Sequence, residues 1–300
     1  MNSAIAQPVA ATEASTWIYP ACRVDCTAVP AGRAPRYPSD LRQEQWARLA
    51  PLFPASSGRG RPPTWCRRTV LDAIFHLADN GIKWRAMPVD FPPKSTVFEH
   101  FTVWREQGVW DQVHDVLRDA VRVREGRRRE PTAAIVDSQS LRAAETVGKD
   151  RRGWDNGKKV GGTKRHIAVD VLGLLLLVHV TAASVQDRDA AFFLLQRLRM
   201  LHSKITLVWA DSGYDYGELI NGARKVLRVT VQIIRRTDDM TGFVLLPRRW
   251  VVERTLSWIC QLRRCVRDYE RRADNHEAMV TISMIMLMSR RLAKPLPRTA

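Results

Sequence analysis

Residues 205–215 read ITLVWADSGYD, a short apolar run with β-branched side chains that ends at an acid, Asp211. A second run, AAIVD, ends in the same way at Asp137. Short apolar runs of this kind predict buried strands, and a carboxylate at the end of a buried strand costs free energy unless a cation meets it. A third acid, Glu253, lies in a basic, aromatic-rich helical pattern. Together the three acids predict a cation-binding site.

The apolar pattern around these runs predicts the fold of the second half of the chain. The predicted strands are 133–136, 166–171, 174–181, 205–210 and 229–234, and the predicted helices are 190–201 and 217–226. Leu172 and Gly173 predict a hairpin turn, and the chain has a helical pattern from Trp250 to its end. This order predicts an α/β (α+β) fold, a ribonuclease-H-like mixed sheet with flanking helices over residues 131–300. In such a sheet the three acids converge on one edge.

The first half of the chain has a helical period instead. Ser39 is predicted to cap the first helix, and further helices are predicted to begin near Val70, Thr96 and Val109. Gly81 predicts the end of the second helix, and four short helices joined by tight loops predict an all-helical, helix-turn-helix-like DNA-binding domain over residues 37–130. Residues 1–36, rich in Ala, Pro and Thr, predict a disordered extension. The charged run over 122–130 predicts a linker or the frayed end of a helix.

The charge of the chain predicts its partner. Lys and Arg number 48 against 31 Asp and Glu, a formal charge of +17, which is typical of a protein that binds nucleic acid. A membrane surface would also attract this charge, but the longest apolar stretches fall far short of the roughly 20 residues that a membrane span needs. No basic start followed by an apolar core is visible at the N-terminus. These features predict a soluble protein of the cytoplasm that is not bound to a membrane.

Several sequence blocks resemble a known family. The blocks DSQS, RGWDNGKKVGGTKRHIAVDVLG, VQDRDA, WADSGYD and LPRRWVVERTLSWICQLRRCVRDYE resemble, in order and spacing, the DDE transposases of bacterial insertion sequences, of the insertion-sequence-5 type. The blocks YPSDLRQEQWARLAPLFP, GRGRPP, NGIKWRAMP and FPPKSTVFEHF resemble the helical domain that precedes the catalytic core in that group. The resemblance covers residues 37–293.

The resemblance implies a function and a set of site residues. It implies that Asp137, Asp211 and Glu253 are the catalytic, metal-binding carboxylates, holding two Mg²⁺ ions for which Mn²⁺ can substitute. It implies a transposase that binds the terminal inverted repeats of an insertion sequence and catalyses DNA strand cleavage and strand transfer. The partners would be double-stranded DNA, at the element ends and the target, and at least a second copy of the chain. The location would be the bacterial cytoplasm, at the nucleoid.

The family pattern around the glutamate has a Tyr, an Arg and a later Lys, and this chain departs from it at two places. Arg249 occupies the Arg position, one helical turn before Glu253, so that both side chains can face one phosphate. Leu246 occupies the Tyr position and Cys260 the Lys position. The departure removes the Lys charge, although Arg263 and Arg264 follow one turn later within reach of a DNA backbone.

Basic residues elsewhere are candidates for DNA contacts. A basic, glycine-rich segment after the first strand predicts a flexible loop that grips phosphates and makes binding depend on salt. Its candidates are Lys158, Lys159, Lys164 and Arg165. The short motif Arg59-Gly60-Arg61-Pro62 fits an A·T-rich minor groove, with a plain loop as the alternative. The C-terminal helical region adds Arg249, Arg254, Arg263 and Arg264.

Other interpretations of the acids stay open on sequence alone. Asp137 fits a turn or cap position, because Ser138 and Ser140 follow it, and the same holds for Asp211 before Ser-Gly. Glu253 fits a surface ion pair with Arg249 or a contact with Ser257. Asp170 is interpreted as a turn residue, and Asp187 and Asp189 as caps of the following helix. Two functions remain as alternatives to a transposase. One is a non-catalytic DNA-binding regulator derived from a transposase, and the other is a metal-dependent nuclease without strand transfer.

Overall fold

The computed structural model describes residues 36–54, 65–235 and 248–295. The predictions for residues 1–35, for Arg59 and Arg61, and for Leu246 lie outside these ranges. The helices are α1 Gln43–Leu49, α2 Arg67–Asn80, α3 Lys94–Glu106, α4 Val109–Arg124, α5 Asp187–Leu201, α6 Gly217–Gly222, α7 Arg249–Cys260 and α8 Ala273–Ala293. The strands are β1 Ala133–Arg142, β2 Gly153–Asp155, β3 Val160–Val169, β4 Leu175–Ala182, β5 Leu207–Ala210 and β6 Thr230–Ile233.

The four predicted N-terminal helices are all present. The second ends at Gly81, which takes the left-handed conformation (φ +66°) that favours glycine. The prediction that Ser39 caps the first helix is wrong. The helix begins later, at Gln43, and the Ser39 side chain is buried with its Oγ 3.3 Å from His76 Nδ1. Ser39 thus connects the segment before α1 to α2, a contact across the fold that a local capping pattern does not predict.

The sheet has the order β2-β3-β1-β5-β6, with β4 paired to β3. β1, β5 and β6 are parallel, while β3 is antiparallel to β1, β2 and β4. The predicted ribonuclease-H-like fold, with helices flanking a mixed sheet, is therefore confirmed. The predicted flexible loop after the first strand is wrong, because that segment forms the hairpin of β2 and β3. β1 is also longer than predicted, since its pairing with β3 continues to Arg142.

Helix α8 packs against β4 and the N-terminal helices. Its apolar positions, including Met279, Ile282 and Ile285, are fully buried and belong to the same hydrophobic core as residues of α2, α3 and α4. The prediction of continuous helix after Trp250 is wrong. Residues between α7 and α8 run beside the end of β1, where the Asp268 amide donates to Arg142 O at 3.0 Å.

The hairpin turn between β3 and β4 is fixed by one buried acid. Asp170 Oδ1 accepts hydrogen bonds from the amides of Leu172 and Leu174, at 2.9 and 2.8 Å. Its other oxygen forms an ion pair with Arg122 of α4. This confirms the turn role of Asp170. It also shows that Arg122 is part of a buried helix end and not of a linker. In the described ranges no helix is both long and apolar enough to cross a membrane.

Candidate active site at the edge of the sheet

Two parallel strands bring Asp137 and Asp211 to the same level of the sheet. In the register of β1 and β5, Ile135 lies opposite Trp209. Asp137 follows Ile135 by two residues and Asp211 follows Trp209 by two residues, so the two acids are level with each other. Asp211 follows the last residue of β5, as predicted. Asp137 is inside β1 and not at its end, because β3 continues to pair with β1 beyond the point where β5 stops.

The surroundings of Asp137 disfavour its negative charge. Burial raises the pKa of Asp137 to about 6. The hydrogen bond that the Ser138 amide donates to Asp137 Oδ1 at 2.7 Å acts in the opposite direction and lowers this pKa. The charge of Asp211 raises this pKa further, and the charges of Arg249 and Lys158 lower it. A carboxylate in this position is stabilised by any positive charge that approaches it.

Asp211 uses its two carboxylate oxygens differently. Oδ1 accepts a hydrogen bond from the Gly213 amide at 3.0 Å, which caps the short 3₁₀ turn Ser212–Tyr214. Oδ2 lies 3.6 Å from Arg249 Nη2. The local cap role, which the sequence left open, is therefore present together with a contact to another charged residue of the site.

Arg249 connects Asp211 with Glu253. α7 begins at Arg249, so Glu253 lies one turn later, and Arg249 Nε is 3.1 Å from Glu253 Oε1. Both side chains are partly exposed, 35% for Arg249 and 46% for Glu253. The ion pair that the sequence left open as an alternative is present. In the parts of the chain that are described, no three His, Cys, Asp or Glu side chains are gathered closely enough to hold a metal ion.

A second layer of polar residues lies behind the acids and was missed by the sequence analysis. Asp187 is the first residue of α5 and does not cap it, since the N-cap residue is Gln186 and no side chain caps the helix. Instead its Oδ1 lies 3.2 Å from Nζ of Lys164, a buried residue of β3. Lys164 and His166 are two residues apart and so lie on one face of β3, which was the available signal.

Tyr214 is the other residue of this layer. Its hydroxyl is buried and has no hydrogen-bond partner among the described residues. Burial raises the pKa of Tyr214 well above 10, and the charges of Asp187, Asp137 and Asp211 raise it further. Tyr214 is therefore a neutral hydrogen-bond donor close to three acids. The pKa of His166 falls to about 4 because the ring is buried, so that this neighbour is also neutral near pH 7.

The predicted DNA contacts divide by exposure. Lys158 and Lys159 occupy the exposed turn of the β2-β3 hairpin. Lys158 Nζ lies 3.1 Å from Ser138 O, beside Asp137. The prediction for Lys164 and Arg165 is wrong, since both are buried in β3. Lys164 has carboxylate partners within the fold, and Arg165 donates to Cys265 O at 2.9 Å.

The C-terminal candidates divide in the same way. The prediction for Arg264 is wrong, because it is buried and its Nε donates to Glu270 Oε1 at 2.8 Å. Arg263 is exposed, and Arg254 is partly exposed on α7. Cys260, at the family's Lys position, has its Sγ 3.1 Å from Arg165 Nη2, so this position faces the interior of the fold.

The chain matches two family models and several known proteins. A family model described as a transposase DDE domain matches residues 128–288, and one described as a putative transposase of the IS4/5 family matches residues 41–114. The chain is 32% identical over 133 residues to a putative transposase for insertion sequence element IS402 from Burkholderia cepacia, which covers 42% of this chain and 62% of that protein. It is 31% identical over 110 residues to an uncharacterized 16.2 kDa protein of the same element, covering 34% of this chain and 73% of that one. It is 29% identical over 112 residues to an uncharacterized protein, y4sN, of Sinorhizobium fredii, covering 37% of this chain and 83% of that one. The match thus spans less than two thirds of the first of these relatives.

Proposed function

Because this chain belongs to the DDE transposases of the IS4/5 type, we propose that it binds the terminal repeats of an insertion sequence and catalyses metal-dependent cleavage and strand transfer of DNA. The observation that supports the chemistry best is the register of β1 and β5, which sets Asp137 level with Asp211. Two carboxylates, one inside β1 and half-buried with its pKa raised to about 6 and one directly after β5, form a site that positive charge stabilises.

Asp137, Asp211 and Glu253 are the residues that would hold the metal ions. Their donor atoms are carboxylate oxygens, which suit Mg²⁺ and Mn²⁺. Bound divalent ions supply the activation of water, or of a DNA 3′-hydroxyl, and the stabilisation of the leaving 3′-oxygen. The aspartates fit this role as they stand. Glu253 is held by Arg249, and its exposed side chain must turn away from that pair to join them.

At the catalytic acids, Arg249 and Lys158 are residues that would meet the DNA. Arg249 has its guanidinium within 4 Å of two acids, so a phosphate that draws Arg249 away would leave Glu253 free for the metal site. Lys158 lies beside Asp137 in an exposed turn, where its charge can neutralise a phosphate next to the reacting bond. Both residues position the DNA backbone, and neither activates the nucleophile.

A strand-transfer assay tests the proposed function. Purified protein is incubated with labelled duplexes that carry the ends of its own element, a target plasmid, and Mg²⁺ or Mn²⁺. We expect cleaved ends and joined product from the wild type. Asp137→Asn and Asp211→Asn should lose at least about 100-fold in rate while still binding the ends, because charge stabilisation at the reacting phosphate is lost.

Asp189→Asn is the matched control, because Asp189 is an exposed acid of α5 whose carboxylate pairs with Arg188 and with none of the proposed site residues. It should keep full activity. Binding of the ends without metal-dependent chemistry in the wild type would leave the non-catalytic regulator as the function. Cleavage without joined product would instead indicate a nuclease.

The assembly is also part of the proposal. Joining two element ends to one target requires both ends in one complex, so we propose that at least two copies of the chain act together on DNA. Sedimentation of the protein with a duplex end should give a complex whose mass contains two protein chains. A single chain bound to two ends would contradict this.

A further inference from the structure

One face of α7 carries an alternating stack of aromatic and cationic side chains. Trp250, Arg254 and Trp258 follow each other at intervals of four residues. The Arg254 guanidinium carbon lies 4.6 Å from the centre of the Trp250 ring and 4.5 Å from that of Trp258. Arg291 of α8 extends the stack, with its guanidinium carbon 4.3 Å from the Trp258 ring. We call these four residues the Arg–Trp stack.

The two guanidinium groups of the Arg–Trp stack lie against the same Trp258 ring, and the carboxylates of Asp170 and Glu125 act on them only from beyond ion-pair distance. Within the described ranges neither forms an ion pair. Arg254 donates one hydrogen bond, to Leu172 O at 2.9 Å, and its buried Nε has no partner. Burial lowers the pKa of Arg291, and the charge of Arg254 lowers it further. Two partly buried cations in this arrangement are stabilised by an anion that bridges them.

The space beside the stack is open and lined by further basic residues. A cavity of about 480 Å³ is bordered by Arg254, Arg291, Arg124 and Lys294, with Glu125 as its one acid. A second open cavity of about 860 Å³ shares Arg124 and Lys294 with it. Arg124 donates to Arg291 O at 2.7 Å, which fixes the end of α8 next to the stack. The lining suits an anion that is longer than a single phosphate.

We propose that the Arg–Trp stack, with the basic cavities beside it, binds the phosphate backbone of duplex DNA at a site separate from the catalytic acids. The charge of the surface matches a polyanion, and Trp258 already has two guanidinium groups stacked on it, which leaves N–H donors and not a free aromatic face for a ligand. Phosphate oxygens are the acceptors that such guanidinium forks prefer.

The position of the stack fits a continuous DNA path. Glu253 and Arg254 are consecutive, so the stack lies about 100° around α7 from the acid. At 1.5 Å per residue, α7 is about 18 Å long, which corresponds to about five base-pair steps of a DNA strand. The same helix can therefore hold the scissile phosphate at one face and the flanking backbone at the next. This inference rests on the proposed DNA-binding function, which it deepens.

Anisotropy of a fluorescent 30-base-pair duplex, measured in EDTA over a series of salt concentrations, tests the proposal without any chemistry. Arg291→Gln should raise Kd about threefold to tenfold and reduce the slope of log Kd against log salt by about one. Arg290→Gln is the matched control, because Arg290 is the exposed neighbour on the same helix and loses the same charge. It should change Kd less than twofold.

Two further measurements separate a loss of DNA contact from a loss of protein stability and from a change of charge alone. The melting temperature of Arg291→Gln should stay within about 2 °C of the wild type, since the substitution leaves no carboxylate unpaired. Arg291→Lys should restore the salt slope, because it keeps the charge, and should recover only part of the affinity. If Arg291→Gln and Arg290→Gln shift Kd equally, the proposal is overturned. If the wild type does not bind the duplex at low salt, the proposed function itself fails.

Discussion

Replacing Arg249 by Gln should strengthen the binding of divalent metal by the free protein. Arg249 lies 3.6 Å from Asp211 and 3.1 Å from Glu253, so its charge competes with a metal ion for two of the three proposed ligands. In Arg249→Gln these carboxylates have no other ion-pair partner among the described residues, and a divalent ion that binds them no longer has to break two ion pairs. The substitution should therefore raise metal affinity even though it removes a DNA contact.

The size of the effect follows from the exposure of the two pairs. Two unit charges at about 4 Å interact by about 4 kcal/mol at the effective dielectric of a protein surface, but measured net values for exposed pairs are about 0.2–1 kcal/mol each. Arg249 is 35% exposed and Glu253 46%, so the net values apply. Two such pairs contribute about 0.4–2 kcal/mol, which corresponds to about a twofold to 30-fold increase in affinity.

Titration with Mn²⁺, followed by calorimetry or by the EPR signal of the free ion, measures this affinity. The experiment is done at pH 8, where Asp137 is ionised in both proteins, because Arg249 also lowers the pKa of Asp137. Arg248→Gln is the matched control. Arg248 is adjacent and exposed, and its guanidinium stacks over the Trp209 ring at 4.3 Å. Equal or weaker Mn²⁺ binding by Arg249→Gln, relative to Arg248→Gln, would refute the reasoning.

Three further predictions concern stability. Because the folded state raises the pKa of Asp137 to about 6, the folded protein holds this proton more tightly than the unfolded chain, and this stabilisation is lost as pH rises through about 6. Urea denaturation in EDTA should therefore show Asp137→Asn to be more stable than the wild type by about 1–3 kcal/mol at pH 8, with little difference at pH 4. A difference that does not change with pH would count against this. Arg122→Met should lose about 3–5 kcal/mol, because it leaves Asp170 buried without its cation, and the double variant with Asp170→Asn should recover part of the loss in the same assay. Gly173→Ala should lower stability by about 1–3 kcal/mol in thermal denaturation, since Gly173 has φ +78° and an added Cβ would lie 2.7 Å from Thr255 Oγ1. An unchanged melting temperature would contradict the close packing of α7 on the turn.

The parts of the fold that the sequence predicts are those with a continuous apolar face. α2 has one face of Val70, Ile74 and Leu77, all fully buried, and a glycine at its end. β4 begins with the apolar run 175–178, all of it buried. In such elements the hydrophobic period and the local stop signal agree, so the local sequence contains enough information to place them.

The parts that the sequence does not predict are those where buried polar residues are satisfied by distant partners. β3 has two glycines after its first residue and contains Lys164 and Arg165, a composition typical of an exposed loop. The pairing of Lys164 with Asp187 and of Arg165 with Cys265 makes burial possible, and these contacts span 23 and 100 positions of the chain. No local pattern encodes such a pairing, since each partner alone resembles a surface residue.

In the candidate site, too, the sequence predicts some contacts between residues and not others. The order of strands places Asp137 and Asp211 together, because parallel neighbours put equivalent positions side by side. The helical spacing places Arg249 and Glu253 on one face of α7. The contact of Arg249 with Asp211 is a tertiary contact between partly exposed side chains, and neither periodicity nor spacing determines it.

Net charge is therefore a poor guide to which arginines meet DNA. Arg122, Arg165 and Arg264 are all buried. Arg122 and Arg264 form ion pairs with Asp170 and Glu270, and Arg165 donates a hydrogen bond to Cys265 O. Arg291, which no motif identifies, has its charge unpaired in the described ranges and faces an open cavity. Because only charges that release counterions contribute to the slope of binding against salt, that slope should report the arginines of the second kind alone. A slope far larger than the exposed basic surface allows would mean that the fold opens on DNA and frees the buried arginines.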